Sequence, residues 1–84
     1  MLHIGGVKTT QYFDSLSSRP DRAQIKHSWI ERVVEHPEKE HIQEDGRIRR
    51  WGQVPESRNR YLRVILLADG ETVHNVFFDR GFKS

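Results

Sequence analysis

His74, Arg63, Arg80 and His27 are the side chains of this chain whose types suit acid–base chemistry on an anionic substrate. Histidine gives or takes a proton near neutral pH. Arginine presents a planar fork of donors that matches a phosphate or a carboxylate. In "LRVILLADGETVHNVFF" the pair Asp69-Gly70 reads as a two-residue turn between two extended runs. That turn sets Ala68 opposite Glu71. It therefore sets His74 opposite Ile65 and diagonal to Arg63 on one sheet face. Arg80 follows His74 at the same strand parity, and His27 joins them if the helix border abuts the sheet edge. The same residues also have a structural reading, with His74 a surface cross-strand residue and Arg63 paired to a carboxylate.

"RIRRW" (47–51) is a second candidate. Arg47, Arg49 and Trp51 alternate onto one strand face, where two cations and a ring suit phosphate contact and base stacking. Asp45-Gly46, read as another two-residue turn, sets them opposite Glu44, Ile42 and Glu40. Cross-strand ion pairing is therefore the alternative for these arginines. Ile48, Arg50 and Val54 take the other face. "HPEKEH" (36–41) spaces two histidines and two glutamates closely but matches no standard ligand spacing, so no metal is expected. No phosphate loop, nucleophile motif or helix-turn-helix pair is present, and no cofactor is expected.

These side chains need a scaffold. "SSRPD" (17–21) starts a helix, with Ser/Asp caps and Pro20 tolerated in a first turn. From about 21 to 36 the pattern is helical, and Pro37 stops it. Ile25, Trp29 and Val33 cover one side of an apolar arc, and Ala23, Ile30 and Val34 the other; Lys26 falls inside it. The two Asp-Gly hairpins, joined by the polar loop "PESRNR", supply an antiparallel sheet for that arc to lie on. Leu62, Val64 and Leu66, opposite Phe77, Asn75 and Val73, form the helix-facing set. An edge strand around Gln11 to Phe13 completes an α+β domain with one main helix on an antiparallel sheet.

The 84 residues allow one small domain spanning 1–84, with 35% hydrophobic and 31% charged residues. Two Trp, two Tyr and four Phe offset that polarity, since each buried ring removes a large area from water. Cysteine is absent, which excludes disulfides and thiolate metal sites and suits a cytoplasmic protein. No apolar run reaches the ~18 residues of a membrane span, and the start has no signal-peptide pattern. The formal charge of +2 is too small to diagnose nucleic-acid binding. Its distribution is uneven: residues 31–45 are mostly acidic, and residues 47–63 carry Arg47, Arg49, Arg50, Arg58, Arg60 and Arg63 against Glu56.

The succession "IKHSWIERVVEHP", "EDGRIRRWGQV" and "LRVILLADGETVHNVFF" resembles the small BrnT-like and RelE-like toxin proteins, over about residues 21–80. His27, Arg32 and Pro37 stand where related families carry a helical His, an Arg and a helix-stopping Pro. The resemblance implies a toxin of a bacterial toxin–antitoxin pair, or a descendant that kept the fold and lost the activity. It implies RNA cleavage without a metal, which needs a base at the 2′-hydroxyl, a cation on the phosphorus and an acid at the leaving oxygen. His74 would then be acid or base, with Arg63 and Arg80 on the phosphate. The partners to expect are RNA, a cognate antitoxin or other protein, or a second copy of the chain, and no membrane. A non-catalytic protein-binding module of the same fold is the alternative.

Overall fold

The computed structural model describes residues 7–82. Strand β1 (Lys8–Thr9) leads into helix α1 (Gln11–Leu16), then α2 (Pro20–Ala23) and α3 (His27–Glu35). Strands β2 (Lys39–Ile42), β3 (Ile48–Val54), β4 (Arg60–Leu66) and β5 (Thr72–Phe78) follow, with a 3₁₀ turn at Pro55–Ser57. They form a five-stranded sheet in the order β1-β5-β4-β3-β2. The β2–β5 meander is antiparallel, and β1 joins β5 in parallel. The expected α+β fold, one main helix on a mostly antiparallel sheet, is the fold observed. No helix is long and apolar enough to cross a membrane among the described residues.

The helical stretch differs from a single run over 21–36. The chain leaves helix at Gln24 and is extended at Lys26 (φ −77°, ψ 142°) before α3 begins. The break resolves the conflict that Lys26 poses inside an apolar arc. Ile25 turns into the core, Ala23 stays exposed, and the Lys26 ammonium lies 5.7 Å from the Trp29 ring. Trp29, Ile30 and Val33 then pack on Val54, Leu62, Val64, Leu66, Val73 and Val76. Gly52 lets α3 approach β3 closely: a Cβ there would stand 2.9 Å from Val33 Cγ2.

Residues 11–13 are helical, not an edge strand. Thr10 caps α1 by accepting the Phe13 backbone N–H on its hydroxyl at 3.0 Å, and Phe13 and Leu16 bury their side chains. The edge strand is Lys8–Thr9, three residues earlier, paired with Thr72 and Val73.

Both Asp-Gly turns form, but not as two-residue type I′ loops. Only Gly46 (φ 91°) and Gly70 (φ 71°) have positive φ there, whereas type I′ requires it of both central residues. In the first hairpin Gln43 pairs with Arg47 across Glu44, Asp45 and Gly46. That odd loop length slips the register by one residue, so Trp51 faces Lys39, Arg50 faces Glu40 and Arg49 faces His41. In the second hairpin Leu67 pairs with Thr72, which preserves the expected opposition of Leu66 and Val73. A β-bulge then shifts the ladder, so Ile65 faces Asn75, Val64 faces Val76 and Arg63 faces Phe77. The bulge replaces Asn75 with Val76 in the core and leaves His74 as the inserted residue.

Candidate functional site

Alternation fixes which residues share the sheet face away from α3. Gly52, Leu62 and Val64 point to the helix side, as their burial and the Gly52–Val33 approach require. Arg49, Trp51 and Gln53 of β3, Tyr61, Arg63 and Ile65 of β4, and Asn75 and Phe77 of β5 therefore take the outer face. One row runs Lys39–Trp51–Arg63–Phe77 across four strands, and the next runs His41–Arg49–Ile65–Asn75.

A turn over Asp79–Phe82 folds back on this face. Asp79 accepts the Trp51 indole N–H at 3.0 Å on one oxygen and the Gly81 backbone N–H at 3.0 Å on the other. Phe82 stacks on Trp51 and leans on Tyr61, with ring centroids 4.7 Å apart in the second pair. The Arg63 guanidinium lies 4.3 Å above Phe77 and ion-pairs with Asp79 at 3.6 Å. Burial lowers the pKa of Arg63, Asp79 opposes that shift, and neighbouring Arg49 adds to it. The hydrogen bond from Trp51 leads the causes that hold the Asp79 carboxyl below its ordinary range.

Two nitrogens here are buried without a hydrogen-bond partner, Arg49 Nε and Arg63 Nε. Such groups are uncommon and costly in a folded protein. The register slip explains the arginine at 49. Glu40, expected opposite Trp51, faces Arg50 and accepts its Nε–H at 2.6 Å on the helix side of the sheet. Arg49 is left facing His41, with no carboxylate partner among the described residues. Of the expected RNA-binding set, Arg49 and Trp51 thus sit beside Arg63. Arg47 is exposed at the hairpin loop, 3.9 Å from Asp45.

The four residues chosen for acid–base chemistry occupy separate places. The bulge directs His74 to α1, where it stacks on Tyr12 at 4.8 Å and hydrogen-bonds the Thr10 hydroxyl at 3.2 Å. The Thr10 hydroxyl thus serves both the Phe13 backbone N–H, which it accepts, and His74 Nδ1. The expected opposition of His74 to Ile65, diagonal to Arg63, is replaced by Ile65 opposite Asn75 and Arg63 opposite Phe77, because the bulge inserts one residue. His27 is exposed at the start of α3, beside a pocket of about 220 Å³ that Phe13, Leu16, Ile30 and Asn75 also line. Arg80 is exposed past the end of β5, in a cleft shared with Arg58 and Arg60.

Sequence reading passed over Arg58, Arg60, Tyr61 and Phe82 as site residues. "RNRY" carried a usable signal, since a polar loop that returns between two strands brings its arginines to one end of the sheet. Phe82 had none, because its position depends on Asp79 turning the chain back. No protein-family model, curated protein or solved structure matches this chain.

Proposed function

We propose that this is a toxin-like domain that binds single-stranded RNA on the outer face of its sheet. The supporting observation is the surface of half-buried Tyr61, Phe77 and Phe82 around Arg49 and Arg63, whose Nε atoms have no hydrogen-bond partner. Unpaired bases stack on such rings. Phosphate oxygens accept from a guanidinium group such as that of Arg49, which has no carboxylate partner among the described residues, whereas Arg63 is ion-paired with Asp79. The likeness to BrnT-like and RelE-like toxins supports the same ligand. Binding is the proposal, and cleavage is not, because His74 is engaged at α1 with Thr10 and Tyr12.

Fluorescence anisotropy with a short labelled RNA tests it. Binding should weaken as salt rises and should weaken on Arg49→Ala, while Arg19→Ala serves as a distant control. Equal affinity for both variants overturns the assignment. The same RNA incubated with protein in EDTA tests cleavage: fragments with 2′,3′-cyclic ends would restore the catalytic reading.

A second reading rests on β2. It is an edge strand whose four residues are all exposed, and Ile42 is 62% exposed. Such an edge accepts a strand from an antitoxin, another protein or a second copy. Sedimentation of the wild type beside Ile42→Lys separates self-association from a monomer.

A further inference from the structure

We propose that Arg58, Arg60 and Arg80 form a phosphomonoester-binding cleft at the loop end of the sheet, separate from the outer face. The three line one open cleft of about 520 Å³ together with Gln24, Glu56 and Ser57. The location follows from register: Arg60 pairs with Val54 at the strand end and shares its parity with core residues Leu62 and Val64. The cleft therefore opens on the helix side of the sheet.

Its charge is unbalanced. Glu56 is the one carboxylate lining the cleft, and both its oxygens accept from Arg32, at 3.1 and 2.6 Å. Arg58, Arg60 and Arg80 have no carboxylate partner among the described residues. Arg60 is also held in place: its Nε donates to the Ser57 carbonyl at 3.2 Å, its Nη2 donates to the Ser57 hydroxyl at 2.6 Å, and its plane lies 3.9 Å from the Phe78 centroid. Anchoring on that side leaves Nη1 to an incoming anion, at reduced entropic cost. Ser57 accepts from Arg60 and keeps its own hydroxyl proton to donate.

Arg58 adds the third fork from a constrained backbone. It and Asn59 both have φ 57°, so the turn between β3 and β4 runs through two left-handed residues. An arginine is disfavoured in that conformation, and glycine would adopt it without penalty. Three cations with no free carboxylate favour an anion of nearly two charges and three acceptor oxygens. A phosphomonoester has both, carrying roughly −1.5 to −2 at neutral pH; a phosphodiester has one charge and two free oxygens. The same chemistry is offered by the 5′-phosphate of an RNA and by free phosphate.

Two titrations test the cleft and identify the source. In the first, inorganic phosphate is added to isotope-labelled full-length protein, with sodium chloride at matched ionic strength as the reference. The second compares 5′-phosphorylated and 5′-hydroxyl forms of one RNA. The expected result is a saturable shift of the arginine Nε–H signals with phosphate, lost in the double variant Arg58→Gly/Arg80→Ala. If RNA is the source, the phosphorylated form also binds about tenfold tighter, the gain of one charge-assisted hydrogen-bond set. Saturation by inorganic phosphate with equal RNA affinities supports the cleft and assigns free phosphate. No saturable response to phosphate and no 5′ preference overturns the cleft, and leaves RNA binding on the outer face to be judged by Arg49→Ala. Arg58→Gly suits the left-handed turn and Arg80 is exposed, so both changes leave the fold in place.

Discussion

Phe82 lies nearly parallel to Trp51, with ring centroids 5.1 Å and planes 18° apart, so the end of the described chain roofs a strand residue from the middle of the sheet. Trp51 is only 7% exposed as a result, although it belongs to the face that α3 does not cover. Phe82→Ala should expose the indole, moving its emission to longer wavelength and increasing its quenching by acrylamide. Stability should fall by about 0.5–1.5 kcal/mol from the lost ring pair, plus the burial of the ring. An unchanged spectrum would show that the roof is not closed in solution.

Acid should open the same roof. The carboxyls of Asp79, Asp69 and Glu56 are all held below their ordinary range, Glu56 at about 2 rather than 4.5 through its hydrogen bonds from Arg32. Carboxylates depressed in the folded state stabilise it above their unfolded pKa, and that contribution is lost as pH falls through the folded value. Stability should therefore decline below about pH 4 and continue to decline toward pH 2. Asp79→Asn should flatten the part of this profile that Trp51 fluorescence reports.

His74→Gln should lower the unfolding midpoint and leave RNA binding intact, because His74 joins the bulge of β5 to the cap of α1. Thr10→Ala should cost about 1 kcal/mol as a lost helix cap. The double variant should cost less than the sum of the two, since both remove one hydrogen bond. Additive losses in denaturant titrations would show that the pair is uncoupled.

Gly52→Ala should destabilise by about 1–3 kcal/mol, the usual cost of overfilling a packed site. The new methyl would meet Val33 Cγ2, and a β-branched side chain has little room to rotate away. Val33→Ala in the same chain should return part of the loss, which thermal melts of the two singles and the double would show.

Arg49→Leu should weaken RNA binding without lowering stability. It removes a buried nitrogen that has no partner and substitutes a side chain able to cover Ile65 beside it. A large drop in melting temperature would mean that the Arg49 guanidinium is satisfied in solution.

The meander was legible because each of its strands announces itself. Apolar alternation, two Asp-Gly turns and the arc on 27–35 name the elements and put Leu62, Val64, Leu66 and Val73 in the core. The faces of β2 and of the end of β5 were not legible, for different reasons. Asp-Gly serves both type I′ turns and longer loops closed by a left-handed glycine, and the two differ by one residue in register. The bulge at His74 had a visible trace: strict alternation would have forced Asn75 into an apolar face. Thr10, Phe13 and Leu16 carried a short helix signature that a strand reading obscured. The site fared less well, because Arg49 and Trp51 depend on β3 parity alone, whereas His74 depends on the bulge.

The parallel pairing of β1 with β5 has a kinetic consequence. Every other strand contact in the sheet joins consecutive strands, so β2 to β5 can zip together through short loops. Thr10 and His74, by contrast, are 64 residues apart, as are the paired residues of β1 and β5, so their meeting closes a long loop. Loop-closure entropy and contact order place that step late. The meander with α3 would assemble first, and β1 with α1 would dock last onto the bulged strand. Docking that comes last is also the least costly to reverse. Amide protons of Thr10 and Phe13 should then exchange faster than those of Leu62 and Val64, through openings that leave both arginine surfaces intact.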